Sequence, residues 1–121
     1  GVTDGFYTFA QFDTPSKENC SPKICDWIDT YETTFGNLPN IGSAYGYMYM
    51  DITARALEIA GRDLTTESFL NALESINDYK IPFGNTTLSW SPEKHLGANV
   101  AYLFEVQNGT FIQTDNKEYT Y

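Results

Sequence analysis

Few side chains in this sequence have the types and spacing that could do chemistry. Cys20 and Cys25 lie five positions apart and flank Ser21-Pro22, a pair suited to open a helix with Ser21 as N-cap and Pro22 at the first helical position. The cysteines then stand just before the cap and one turn inside, where side chains meet across the first turn. The spacing predicts a local disulfide, which would contribute about 2 kcal/mol by shortening the unfolded chain. The alternative is two free thiols with Cys25 half buried. Neither a CxxC redox pair nor, without a neighbouring histidine, a zinc site is formed, and no metal is expected. A disulfide would favour an extracytoplasmic compartment. His95 is the single histidine. It falls in Ser91-Pro92-Glu93-Lys94-His95-Leu96-Gly97, without a matching Ser or Cys nucleophile, and reads as a solvent-facing turn residue. Asp26, Asp29 and Glu32 fall on the polar side of the first helix and read as a solvated face. The patterns GxxxxGK[ST], GxGxxG, HExxH and GxSxG are absent, so no catalytic residue and no cofactor are assigned, and a non-enzymatic role is expected.

Binding chemistry is better represented. In Tyr45-Gly46-Tyr47-Met48-Tyr49-Met50 the helical spacing puts Tyr45 and Tyr49 on the core side, with Tyr47 facing elsewhere. Core packing is the reading for Tyr49. Tyr45 opens the helix beside Gly42, a kind of position at which ligands are often held, and is a candidate ligand residue. Two Asn-x-Thr triplets occur, Asn85-Thr86-Thr87 and Asn108-Gly109-Thr110. They matter only in a glycosylating source, and Asn108 is better explained by a turn.

The chain has 121 residues with Lys+Arg 7 against Asp+Glu 16, a formal net charge of −9. The basic residues Lys17, Lys23, Arg55, Arg62, Lys80, Lys94 and Lys117 are scattered and form no stripe to neutralise successive phosphates, which argues against nucleic acid as a partner. An anionic membrane surface is disfavoured for the same reason. Apolar residues make up 41% and aromatic residues 16%, enough for a packed core and against disorder. No apolar run reaches the roughly 18 residues of a spanning helix. The opening Gly1-Val2-Thr3-Asp4-Gly5 lacks the pattern of a signal peptide, so a mature or trimmed chain is expected.

The elements that must position these residues follow from periodicity and punctuation. Residues 5–12 are aromatic-rich and roughly alternate, as a strand does. Asp13-Thr14-Pro15-Ser16 breaks it, and a polar connection runs to Asn19. The first helix carries Ile24, Trp27, Ile28, Tyr31 and Phe35 at helical spacing and stops at Gly36. A second helix is predicted over 43–60, with Tyr45, Tyr49, Ile52, Ala56 and Ile59 on one stripe and Gly61 as its stop. A third begins at Thr65, with Leu64 and Phe69 as a hydrophobic staple, and runs to about Ile76. Residues 78–85 read as irregular, 86–90 as a short strand, and 99–106 as a buried strand joined through Asn108-Gly109 to a partner at 110–114. Residues 115–121 read as a frayed tail. The order implies a mixed α/β domain: three helices with a leading strand and a C-terminal β-hairpin. The leading strand has no sequence-adjacent partner; it must pair with the C-terminal strands or with chain outside this sequence.

Ala44-Tyr45-Gly46-Tyr47 followed by Ala54-Arg55-Ala56-Leu57-Glu58-Ile59-Ala60-Gly61 resembles a characteristic helix of type I periplasmic binding proteins, the substrate-binding components of branched-chain amino acid ABC transporters and their relatives. Gly5-Phe6-Tyr7-Thr8 is similar to the family's "GVY" strand, and Trp27–Gly36 with Pro39-Asn40 to the helix and loop that follow. Phe69–Ile76 is similar to its "AL" helix, Phe83-Gly84 with Leu88-Ser89-Trp90 to its "tpfG…F" segment, and Tyr102–Phe111 to its closing hairpin. The resemblance implies an α/β fold of two lobes with ligand held between them, of which residues 1–121 would be a C-terminal portion, a partial lobe. Residues 1–98 would be the strand and helices, and 99–121 the closing hairpin and tail. The partners of the first strand are then expected in chain outside this sequence.

The implied function is extracytoplasmic binding of a small amino acid or related carboxylate for an ABC permease, in the periplasm or outside the cell, secreted or lipid-anchored, with hinge closure around the ligand. Gln11, Phe12 and Tyr45 are the expected ligand-facing residues. Gly46 stands where the family often has an acidic residue. The alternatives are a sensory receptor ectodomain of the same fold and a small non-catalytic interaction domain. Unpaired strand edges imply self-association.

Overall fold

The computed structural model describes residues 2–18 and 20–121; the end of the polar connection, at Asn19, lies outside them. The order is β1 (Tyr7–Ala10), α1 (Pro22–Phe35), α2 (Ile41–Ala60), α3 (Thr66–Glu74), β2 (Tyr79–Lys80), β3 (Thr87–Leu88), β4 (Val100–Gln107), β5 (Thr110–Gln113) and β6 (Tyr119–Thr120). Local chemistry sets most of the ends. Ser21 is extended and Pro22 occupies the first turn of α1, while Gly36 closes it at φ +73° with its N–H on the Glu32 carbonyl at 2.8 Å, a conformation with no steric cost for glycine. α2 begins at Ile41, two residues earlier than expected, because Asn40 and Ser43 form a reciprocal capping box. Thr65 and Ser68 do the same for α3, where Ser68 replaces the usual Glu or Gln. The expected staple is weak, since Leu64 is exposed. α3 ends at Glu74, and Ile76 is buried just beyond it.

The stripe expected on α2 holds at Ile52 and Ala56 but is displaced by one residue over its first two turns. Ala44, Met48, Ile52 and Ala56 face the core, whereas Tyr45, Tyr49 and Ile59 are exposed. The two alanines are wholly buried, and their small side chains allow a close approach that a tyrosine stripe would prevent. Tyr47, expected to face away, is half buried and stacks on Trp27 and Phe83 at centroid distances of 5.1 and 5.7 Å. The core joins this face to Ile24 and Ile28 of α1, Ala72 of α3, and Ile76, Tyr79, Ile81, Phe83 and Leu88 around the β2–β3 ribbon. Tyr79 pairs with Leu88 and Lys80 with Thr87 there.

β1 has a partner inside the chain. It runs antiparallel to β4, Tyr7 opposite Glu105 through Ala10 opposite Tyr102, which corrects the expectation that its partners lie elsewhere. β5 pairs with β4 across Asn108-Gly109, both at positive φ (53° and 78°), as the expected tight hairpin requires. The tail is not frayed throughout: β6 pairs with β4, Val100 opposite Thr120 and Ala101 opposite Tyr119. Tyr102, Phe104 and Val106 are buried along one face of β4, while Phe6, Tyr7 and Phe9 around β1 are exposed. Residues 11–21 lead from β1 to α1, and 89–99 lead from β3 to β4.

Candidate functional site

The candidate residues sit where the chain leaves β1 for the helices. That segment is stitched to the β2–β3 ribbon. The Thr86 hydroxyl, 1% exposed, donates to the Gln11 carbonyl at 2.6 Å, and the Asp13 N–H donates to the Phe83 carbonyl at 2.9 Å. Gly84 lies against it so closely that a Cβ there would stand 3.1 Å from the Phe12 Cα and Cβ. The segment therefore has a fixed course, and Phe12 is pressed inward.

Phe12 is 3% exposed and meets Tyr45 edge to face at 4.7 Å between centroids, a favourable aromatic geometry. Tyr45, the fifth residue of α2, is 39% exposed and lies 5.8 Å from Tyr49. Two of the three expected residues are thus brought together. Gln11 is adjacent in chain, but its Nε2 donates to the Tyr121 hydroxyl at 3.1 Å. That hydroxyl in turn donates to the Ala98 carbonyl at 3.5 Å, and the Tyr121 N–H reaches the Asn99 carbonyl at 3.2 Å.

An apolar cavity of about 480 Å³ opens beside Phe12. β1 supplies Thr8 and Ala10, β4 Phe104, β5 Phe111, and the start of α2 Asn40 and Ile41. Gln11 and Tyr45 are not among its lining residues; Tyr45 acts from behind, by holding the Phe12 ring. Its volume and composition suit an aliphatic or aromatic side chain, with Asn40 and the threonines supplying hydrogen bonds.

The cysteines are bonded, Cys20 to Cys25, with Cα atoms 5.4 Å apart. His95 is exposed in its turn, as expected, and its Nε2 lies 3.1 Å from Glu74 Oε1. Lys17 bridges Asp29 and Glu32 at 2.6 and 2.8 Å, on the face expected to be solvated. Among the described residues, no group of three or more His, Cys, Asp or Glu could hold a metal ion, and no helix is long and apolar enough to cross a membrane.

Two polar features had no sequence signal. Asp51 on α2 accepts from the Tyr79 hydroxyl at 2.8 Å and pairs with Lys23 of α1 at 3.3 Å. Burial, then the Asp51 carboxylate, push the Tyr79 phenol far above its usual range. Asp13, read as a strand breaker, has Oδ1 buried without a hydrogen-bond partner, and burial raises its carboxyl above the ordinary range.

This fold has a known class. The model of the periplasmic binding protein family matches residues 1–110. The chain belongs to the periplasmic binding protein family. No curated protein matches the sequence. Among solved structures, the fold is similar to a branched chain amino acid ABC transporter from Thermus thermophilus with bound valine, with a TM-score of 0.78, 17% identity, and coverage of 99% of this chain and 34% of that one. An extracellular ligand-binding receptor from Rhodopseudomonas palustris HaA2 gives 0.67 at 21% identity, covering 93% and 34%. A leucine binding protein from Thermotoga maritima MSB8 gives 0.66 at 18% identity, covering 94% and 31%. The chain spans about a third of the length of each of these relatives.

Proposed function

We propose that the protein is the extracytoplasmic solute-binding component of an ABC transporter and contributes to binding a small amino acid or related carboxylate. The apolar cavity beside Phe12, in a chain of this family, is the observation that carries the reading. The ligand's apolar side chain enters between Phe104, Phe111 and Ile41, and Phe12 holds its wall through Tyr45. Ligand bound there stabilises a closed arrangement that an ABC permease recognises. Residues 1–121 supply one part of a two-lobed fold, consistent with covering about a third of the relatives' length, and the rest of that fold supplies the opposing wall. The role is binding without catalysis, in the periplasm or outside the cell. Where the outer edge of β1 is uncovered, copies associate through it.

Isothermal titration with valine, leucine and phenylalanine tests the site. Saturable binding of at least one is expected, weakened about tenfold or more in Phe12→Ala and in Tyr45→Ala through loss of the aromatic wall. Heat signals absent for all three, or unchanged in both variants, would reject it.

A further inference from the structure

Asn108 is the one asparagine of the sequence that is followed by glycine; every other precedes a residue with a side chain, Ile41, Thr86 and Val100 among them. Asparagine is a thermolabile residue, because the backbone nitrogen of the next residue can attack its side-chain carbonyl carbon. A following side chain obstructs that approach and glycine does not. The structure puts Asn108-Gly109 at the open tip of the β4–β5 hairpin. Both residues are exposed, and a Cβ built on Gly109 would meet nothing within 4 Å, so water reaches the pair and the turn has room to rearrange. Positive φ at both positions, 53° and 78°, folds them into a tight turn, and one contact holds the glycine nitrogen in it. The Gly109 N–H donates to Asp4 Oδ1 at 3.2 Å, across 105 positions of the chain. Asp4 is carried by a turn that is itself fixed to β4. The Gly5 N–H donates to the Val106 carbonyl at 2.9 Å, and the Val106 N–H donates to the Phe6 carbonyl at 2.8 Å.

We propose that Asn108 is a site of spontaneous deamidation and that the Asp4 carboxylate restrains it. In the reaction the Gly109 nitrogen loses its proton to solvent and bonds to the Asn108 Cγ. The Cγ–Nδ2 bond breaks, and the side-chain nitrogen leaves as ammonia. The five-membered imide then takes up water at one of its two carbonyls and reopens, as aspartate or as isoaspartate, with no oxidant or reductant. Asp4 opposes the first step twice. It accepts the proton that must be lost, which keeps the nitrogen in the turn, and its negative charge disfavours the nitrogen anion. The restraint lapses whenever the tip opens, and exposed hairpin ends open at little cost in free energy. Isoaspartate adds one carbon to the backbone of a two-residue loop, which the tight turn cannot absorb. Gly109, Thr110 and Phe111 line the apolar cavity beside Phe12, so the change displaces a wall of the candidate site. Either product also adds a negative charge to a chain already at −9. The modification does not depend on what the cavity binds, and it stands or falls apart from the amino acid reading above.

The experiment incubates the 121-residue protein at neutral pH and follows it by peptide-mapping mass spectrometry. Exchange of ammonia for water is expected first at Asn108, with the aspartate and isoaspartate forms of its peptide resolved by chromatography. Asp4→Ala should convert faster by about fivefold or more, the worth of one hydrogen bond, at an unchanged urea midpoint. Asp4→Asn keeps an acceptor without the charge and should fall between that variant and its parent. Should Asp4→Ala shift the urea midpoint, the comparison rests on Asp4→Asn, where conversion faster than the parent's supports the restraint and equal conversion overturns it. Earlier conversion at another asparagine, none at Asn108 over a time in which the urea-unfolded chain converts there, or a rate in a folded Asp4→Ala no higher than the parent's would each overturn the proposal.

Discussion

Thr86 is the one polar residue among the described buried set, and its hydroxyl bonds the Gln11 carbonyl at 2.6 Å. Thr86→Val keeps the shape and leaves that carbonyl unpaired beside the core, so a loss of about 1–3 kcal/mol is expected in urea unfolding. Asp13 behaves in the reverse sense. Burial raises its folded pKa above the unfolded value, so the folded state binds the extra proton. Whatever stability this residue preserves is fully present below the ordinary aspartate range and is lost as pH rises through the raised value. Unfolding of Asp13→Asn beside the unaltered protein, from pH 4 to pH 7, should therefore show the variant gaining on its parent as pH rises. A difference independent of pH would refute the burial argument. Neither residue was marked in the sequence: Thr86 sat in a glycosylation triplet and Asp13 in a turn, and their contacts join positions 75 residues apart in the first case.

The elements were legible where local chemistry defines them. Ser21-Pro22, Gly36, Gly61 and Asn108-Gly109 punctuate the structure as they punctuate the sequence, because capping and tight turns involve residues only a few positions apart. The disulfide belongs here too, since its two cysteines meet across one helical turn. Reducing it should lower stability by about 2 kcal/mol, measurable as a shifted urea midpoint under dithiothreitol. What local chemistry could not define was non-local. β2 and β6 are two residues each and exist only through pairing with β3 and β4. The first half of the α2 stripe was displaced because Tyr45 and Tyr49 read as core, whereas Ala44 permits the close packing; Ile52 and Ala56 fell where expected. The capping box at Asn40 and Ser43 then starts α2 early. Asn40→Ala should cost about 1 kcal/mol in thermal unfolding. The candidate site was half legible: the helix opening marked Tyr45 and the resemblance added Phe12, whereas the cavity needed the tertiary course of residues 11–16.

At the scale of the molecule, the net charge of −9 opposes association, and the proposed contact between copies would have to run through the exposed aromatic surface of β1. Tyr7 and Phe9 are 60% and 58% exposed beside a strand edge, a geometry that natural sheets usually blunt with charge. Sedimentation velocity should show concentration-dependent association that strengthens with salt as charge repulsion is screened, and Phe9→Lys should abolish it. Association insensitive to that substitution would place the contact elsewhere. One contact has a mechanical meaning. The sheet and the helices are joined by two lengths of chain, and the Tyr121 hydroxyl touches both, receiving from Gln11 and giving to Ala98. Any turning of the helices against the sheet must either part this phenol from one length or carry both along at the same rate. Tyr121 thus cross-ties the two lengths, and Tyr121→Phe would remove that tie while leaving the Thr86 and Phe83 bonds to the first length in place.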